Sequence, residues 1–370
     1  MPVFTYLGGA GFIRTFTQGN DMTSFLRPLF VPALLALLVL LPGCDLDVQP
    51  VGGSEGRTLV YAVAGRQGVP NGGIICTRIG CIVIDPPLTP TLGDTMNSQA
   101  LSKSKIFWDA YHAGRKERAG TLQPPVLYVL NTTFRATHSF GNQSFDKADI
   151  ISTPRAKDRL VRDGAAMREE LRDLWKIPGL ERHYTAAATL TVDGTMNIDT
   201  PEVKVQFISM GDCVGEGDAV VYLPGQKVLF AGDLVTPNNI PYAKGRTQTV
   251  KNWIEALKRL ETWEIDTLIP GHGDIAKKDA IGVQRKFLED LIAAVEVEIK
   301  KGATAEQAAQ AVTLDQYKTW AHYSDWLGEN VKYVYRELKG EPIPTADAGK
   351  ILIGTVQPLN PERADPFKDK

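Results

Sequence analysis

At 370 residues, with 43% hydrophobic and 23% charged side chains, the chain has the make-up of a soluble globular protein, long enough for one large domain or two small ones. A formal net charge of −2 leaves no electrostatic footprint for nucleic acid and argues against that class of partner. No internal repeat or sustained heptad pattern is present, which excludes solenoid and coiled-coil architectures.

Residues 1–44 read as a leader. Met22 offers a second start, and Leu29 to Leu41 is apolar apart from its prolines. That run is shorter than the about 20 residues a membrane span needs, and has the proportions of a secretory signal segment. It ends in Leu41-Pro42-Gly43-Cys44, which resembles a bacterial lipobox. The resemblance implies cleavage before Cys44 and lipidation of its thiol. Multi-chain anchoring would hold the protein at a membrane of the bacterial cell envelope, facing the periplasm or the outside. The alternative is an ordinary signal peptide with a chance cysteine. Residues 45–55 are rich in Gly, Pro and acidic side chains and read as a tether.

Arg57–Ala64 is a short alternating strand. Gly72–Asp85 holds two β-branched runs around a turn and reads as a hairpin. Cys76 and Cys81 flank that turn, and either a disulfide or two packed thiols suits them. Residues 98–118 have helical composition, Val126–Leu130 is a buried strand, and 155–175 are helical. Thr185–Ile198 and Val203–Met210 read as a strand pair around Asp193-Gly194. Ala219–Leu223 and Lys227–Ala231 form a hairpin turning at Pro224-Gly225. Val250–Glu261 is an amphipathic helix and Thr267–Ile269 a strand. Beyond Gly273 the chain is helical: Ala280–Lys301, a segment capped by Thr304, and an aromatic-rich region from Trp320 to Tyr335 whose rings serve packing. Strand pairs interleaved with helices imply a mixed layered architecture with helices outside.

Five landmarks in order resemble the metallo-β-lactamase fold family: the hairpin ending at Ile84-Asp85, the strand and loop Leu127–Phe145, Gly217-Asp218 before an apolar strand, Phe230-Ala231-Gly232-Asp233, and Pro270-Gly271-His272-Gly273. The resemblance implies an α/β fold, a four-layer αββα sandwich of two mixed sheets, with a C-terminal helical extension. The expected boundaries are 1–44 leader and signal peptide, 45–55 tether, 56–280 sandwich, 281–340 helical extension and 341–370 tail. It also implies two zinc ions held by a His-x-His-x-Asp-His loop, a later His, a bridging Asp and a terminal His.

The ligand loop departs from that pattern. It reads Asn131-Thr132-Thr133-Phe134-Arg135-Ala136-Thr137-His138, followed by Phe140-Gly141-Asn142. Thr133 and Arg135 stand in the two histidine positions and Thr137 in the aspartate position. Val214 stands where the later His belongs, with Cys213 as the alternative one residue away. His138, Asp233 and His272 remain, and together suit one zinc or iron ion. Arg135 carries a permanent charge, so an Arg135–Asp233 pair is expected to replace the first ion. Asp85 resembles a residue behind the metal site and is expected to cap nearby backbone. His112, His183 and His322 lie outside the motifs.

Three functional readings follow. The first is a membrane-anchored member of the fold without dinuclear zinc hydrolysis, kept for binding a small molecule or protein. The second is a mononuclear hydrolase with His138, Asp233 and His272 holding the ion. The third is a cleft in which Arg135 binds an anionic ligand, with Arg135 and Asp233 as the reactive pair. No Gly-x-Ser-x-Gly elbow supports a serine hydrolase.

Overall fold

The computed structural model describes residues 46–54, 57–65, 69–113, 125–173, 176, 179–241 and 250–342. Cys44 and the leader lie outside the described residues, as does the tail from 343 on. No described helix is long and apolar enough to cross a membrane.

Among the described residues the strands form two mixed sheets. The first runs in spatial order β1 (Asp47–Ser54), β2 (Arg57–Ala64), β3 (Gly72–Thr77), β4 (Gly80–Ile84), β5 (Val126–Leu130), β6 (Asp149–Ser152) and β7 (Leu190–Thr191). The second runs β8 (Thr195–Asp199), β9 (Lys204–Gly211), β10 (Asp218–Leu223), β11 (Val228–Gly232) and β12 (Thr267–Pro270). Alternation along the strands sorts side chains between two faces. Ile75, Ile82 and Ile84 meet Phe207, Val221 and Phe230 in the core between the sheets. Ile74 and Val83 point outward, in one cluster with Met96 and Ala100 of helix α1 (Pro90–His112). Val220, Leu229 and Ala231 lie in an outer cluster with the helices α4 (Val250–Glu261), α5 (Asp279–Lys300), α6 (Ala305–Ala311) and α7 (Tyr323–Lys339). The one-turn α2 (Ala136–Ser139) and the 20-residue α3 (Pro154–Asp173) complete the described α-helices. This is the expected four-layer sandwich with C-terminal helices.

Several segments differ from the sequence expectation. Asp47–Ser54, read as tether, pairs antiparallel with β2 as an edge strand. Pro and Gly suggested a linker, but an edge strand tolerates both, and the register shifts where they occur, between Pro50 and Gly53. α1 starts at Pro90 rather than near 98, because Thr89 caps it by accepting from Leu92 N at 3.2 Å. The expected pair of Thr185–Ile198 with Val203–Met210 is present as β8 with β9, but before Asp193-Gly194 the chain belongs to the first sheet, where β7 pairs with β6. Thr304 does cap α6, in a reciprocal box with Gln307. Phe287, Tyr317 and Trp320 pack ring against ring at 4.7–5.5 Å. Cys76 and Cys81 are directly opposed in the β3–β4 register and are joined as a disulfide.

Asn71 ties the sheets together at the end where their connecting loops meet. Its Nδ2 donates to the carbonyls of Pro270 (2.9 Å) and Gly273 (2.7 Å), and its backbone N–H donates to Gly271 O at 2.8 Å. Its Oδ1 accepts from Gly65 N at 3.0 Å. Asn71→Ala deletes three of these four bonds in a buried setting, and at about 1 kcal/mol each it should lower unfolding free energy by about 3 kcal/mol. Urea denaturation with an unchanged slope would show this, and a loss within error would mean the clamp is redundant.

Candidate metal centre

The site lies where strands end. β4 stops at Asp85, β5 runs into Asn131–His138, β11 into Gly232-Asp233, and β12 into Gly271-His272. The motif glycines have steric causes. Gly232 has φ +52°, and a Cβ there would lie 2.3 Å from Thr132 Oγ1. A Cβ on Gly271 would lie 2.8 Å from Asp233 Oδ1. These contacts let three loops converge on one carboxylate.

The ligand loop is locked at both ends. Asn131 and Asn142 exchange side-chain hydrogen bonds of 3.0 and 2.9 Å, and Asn131 Nδ2 also donates to His138 O at 3.1 Å. These bonds hold the two ends of the loop together around Thr133, Arg135 and Thr137. Asp85, itself at φ +51°, accepts from Thr132 N (2.7 Å) and Thr132 Oγ1 (2.6 Å). Its Oδ2 also meets His138 Nδ1 at 3.2 Å. Asp85 therefore caps backbone, as expected, and orients His138 as well.

Asp233 is the hub. Its Oδ1 lies 3.1 Å from His138 Nε2 and 3.5 Å from His272 Nε2. Its Oδ2 lies 3.2 Å from Arg135 Nε, so the expected pair is present in the geometry. That Nε–H makes no aligned hydrogen bond, and the contact is charge to charge. Arg135 Nη2 donates to Val214 O at 3.1 Å. All four side chains are buried. The rings of His138 and His272 meet edge to face at 5.3 Å.

Burial alone would push the Asp233 carboxyl up, but His138, His272 and Arg135 together hold it well below the usual carboxylate range. Burial likewise opposes charge on His138, and Asp233 and Asp85 outweigh it, lifting the imidazole to about 10. For His272 burial wins: it is pushed down to about 3, with Asp233 opposing and the His138 and Arg135 charges adding.

Other candidates fall outside this hub. Cys213 is buried with its Sγ 3.3 Å from Met210 O and is absent from the group of ligand atoms, which removes it as a substitute thiolate. Val214 contributes only its carbonyl. Thr133 and Thr137 are buried, with hydroxyls that find no hydrogen-bond partner among the described residues. His183 and His322 stack on Phe140 and Trp326, and His112 packs at a tilt against Trp108. Sequence reasoning missed two contributors. Asp218 was only a landmark, yet its Oδ2 accepts from Val214 N (2.6 Å) and Gly215 N (2.8 Å) and shapes the turn that meets Arg135. Burial raises Asp218 to about 6, against those N–H groups and the Arg135 charge. Asn71, just before the first run of the β3–β4 hairpin, carried no signal of its own in the sequence.

A single ion fits the donors present. Ligand atoms of His138, Asp233 and His272 lie within 4.8 Å of one another, and His272 Nε2 is buried without a hydrogen-bond partner. A second ion does not fit, because the remaining ligand positions hold Thr133, Arg135, Thr137 and Val214.

Residues 67–272 match the sequence model of the metallo-beta-lactamase superfamily. No curated protein sequence matches the chain. Among solved structures, the inverting sec-alkylsulfatase Pisa1 from Pseudomonas sp. superposes with a TM-score of 0.57 at 18% identity, over 81% of this chain and 53% of that one. A metallo-beta-lactamase from Pontibacter korlensis gives a TM-score of 0.49 at 15% identity, over 66% of this chain and 99% of that one. The chain thus spans about half the length of the alkylsulfatase. At 18% identity the likeness to the alkylsulfatase shows the fold alone.

The charge network has a pH signature in protein stripped of metal. A histidine whose pKa is raised on folding stabilises fully below its unfolded value, near about 6.5. That stabilisation is lost as pH rises toward about 10. Unfolding free energy should therefore fall between those values, by at most about 1.4 kcal/mol per pH unit. His138→Gln should flatten the slope. Urea titrations of chelator-treated protein measure it, and a flat wild-type profile would contradict a protonated His138.

Proposed function

The chain belongs to the metallo-beta-lactamase superfamily, and we propose that it is an envelope-anchored hydrolase working with one metal ion, its second metal position taken by the Arg135 guanidinium. The division of Asp233 carries this reading: Oδ2 faces Arg135 while Oδ1 faces both imidazoles. The carboxylate still bridges two positions, one now a fixed organic cation. A bound zinc or iron ion would supply Lewis acidity toward a scissile ester or amide. With an ion bound, an Nδ1–H of His138 held by Asp85 would leave the Nε2 lone pair for the metal. Arg135 balances half of the load on Asp233 and gives an anionic substrate group a permanent positive neighbour. Anchoring rests on Leu41-Pro42-Gly43-Cys44 and the apolar run before it.

A second reading, a binding protein without hydrolysis, draws on charge balance. With His138 protonated, Arg135 and His138 offset Asp85 and Asp233, so the network is neutral with no ion added.

Metal content of protein purified without chelator separates the two. The single-ion reading expects about one zinc or iron per chain, lost in His138→Ala and in His272→Ala, and turnover of an ester panel that chelator abolishes. No stoichiometric metal, and no thermal shift on adding zinc, would leave the second reading standing.

A further inference from the structure

Cys44 is two residues upstream of Leu46, where the described fold begins. Leu46 is already buried in the cluster beneath α1, and Asp47 is already paired with Ala64 in the first sheet. Two residues span at most about 7 Å. Whatever path the chain takes, a lipid on Cys44 would be attached within that reach of Leu46, at one end of the sandwich.

The strand registers identify that end. Asp47 pairs with Ala64, Val63 with Gly72, Gly73 with Ile84, and Ile84 with Leu130. The start of β1 thus shares an end with Asp85 and the Asn131–His138 loop. Asn71 joins the same end to the Pro270–Gly273 loop that carries His272. β1 lies three strands from β4, a lateral distance of about 14 Å. The β10–β11 turn is elsewhere: Gln226 packs near Gly52, five residues along β1 from Asp47, about 17 Å away.

We propose that the anchor holds the Asp85, His138, Asp233 and His272 end of the sandwich against the bilayer surface, so that the cleft takes an amphiphile from the membrane rather than a solute from bulk water. This rests on the anchoring reading of Cys44. The ligand would be a lipid-like molecule whose ester or anionic head group reaches Arg135 while its apolar part stays in the bilayer.

The test uses the full chain, purified from membranes and returned to phospholipid vesicles with nitroxide-labelled head groups. A fluorophore is placed at Asp274→Cys, beside the His272 loop, or at Gly225→Cys, in the β10–β11 turn. Mass spectrometry of the N-terminal peptide reports lipidation separately. The expected result is a diacylated Cys44, loss of most emission at position 274 and little loss at 225. An unmodified Cys44 would overturn the anchoring reading and this proposal with it. A lipidated Cys44 with stronger quenching at 225, or equal quenching at both, would overturn the orientation alone. Hydrogen exchange on the unsubstituted chain reads the same geometry without a mutation: vesicles should slow exchange across 270–274, and unchanged exchange there counts against it.

Discussion

A buried carboxylate cannot keep its charge without a cation against it. Asp233 sits at the meeting point of loops from both sheets, nearly closed to water, where an uncompensated charge would cost several kcal/mol. Much of the surrounding geometry serves that constraint. Arg135 faces one oxygen, and His138 and His272 face the other. Gly232 and Gly271 leave the space through which those loops approach. In the Asn131–His138 loop, Arg135 sets a permanent cation against Asp233 Oδ2 at 3.2 Å, a charge that needs no metal.

The arrangement needs rigid supports, because a guanidinium on a long side chain has many other places to go. Asp218 bonds two successive N–H groups and so sets the Val214–Gly215 turn whose carbonyl receives Arg135 Nη2. Asp85 fixes His138, and Asn71 fixes the strand end from which His272 projects. None of these three belongs to the His138, Asp233 and His272 group of ligand atoms. Each supports a residue that meets Asp233, as outer partners of metal ligands commonly do.

Much of this was legible in the sequence, for reasons particular residues make plain. The sandwich was legible through resemblance: five landmarks in order, Phe230-Ala231-Gly232-Asp233 and Pro270-Gly271-His272-Gly273 the most specific, and the structure shows that Gly232 and Gly271 in them permit close loop approach. The Arg135–Asp233 contact could be anticipated because a permanent cation in a ligand position lies beside the carboxylate that the family pattern uses as a bridge. β1 could not: its Pro and Gly suggest a linker unless the pairing partner is known. The sheet switch at Asp193-Gly194 imitates a hairpin turn locally, and only the pairing of β7 with β6 reveals it. Asn71 and Asp218 were illegible because their roles depend on contacts with backbone groups of other segments, which no local pattern encodes.

The central claim is that Asp233 is shared between one guanidinium and one metal ion. Anomalous diffraction at the zinc edge, from crystals grown with excess zinc, tests it most directly. The account predicts a single peak bounded by His138 Nε2, Asp233 Oδ1 and His272 Nε2, with Arg135 still against Oδ2. Two peaks with Arg135 swung away, or no peak among these three ligands, would contradict it.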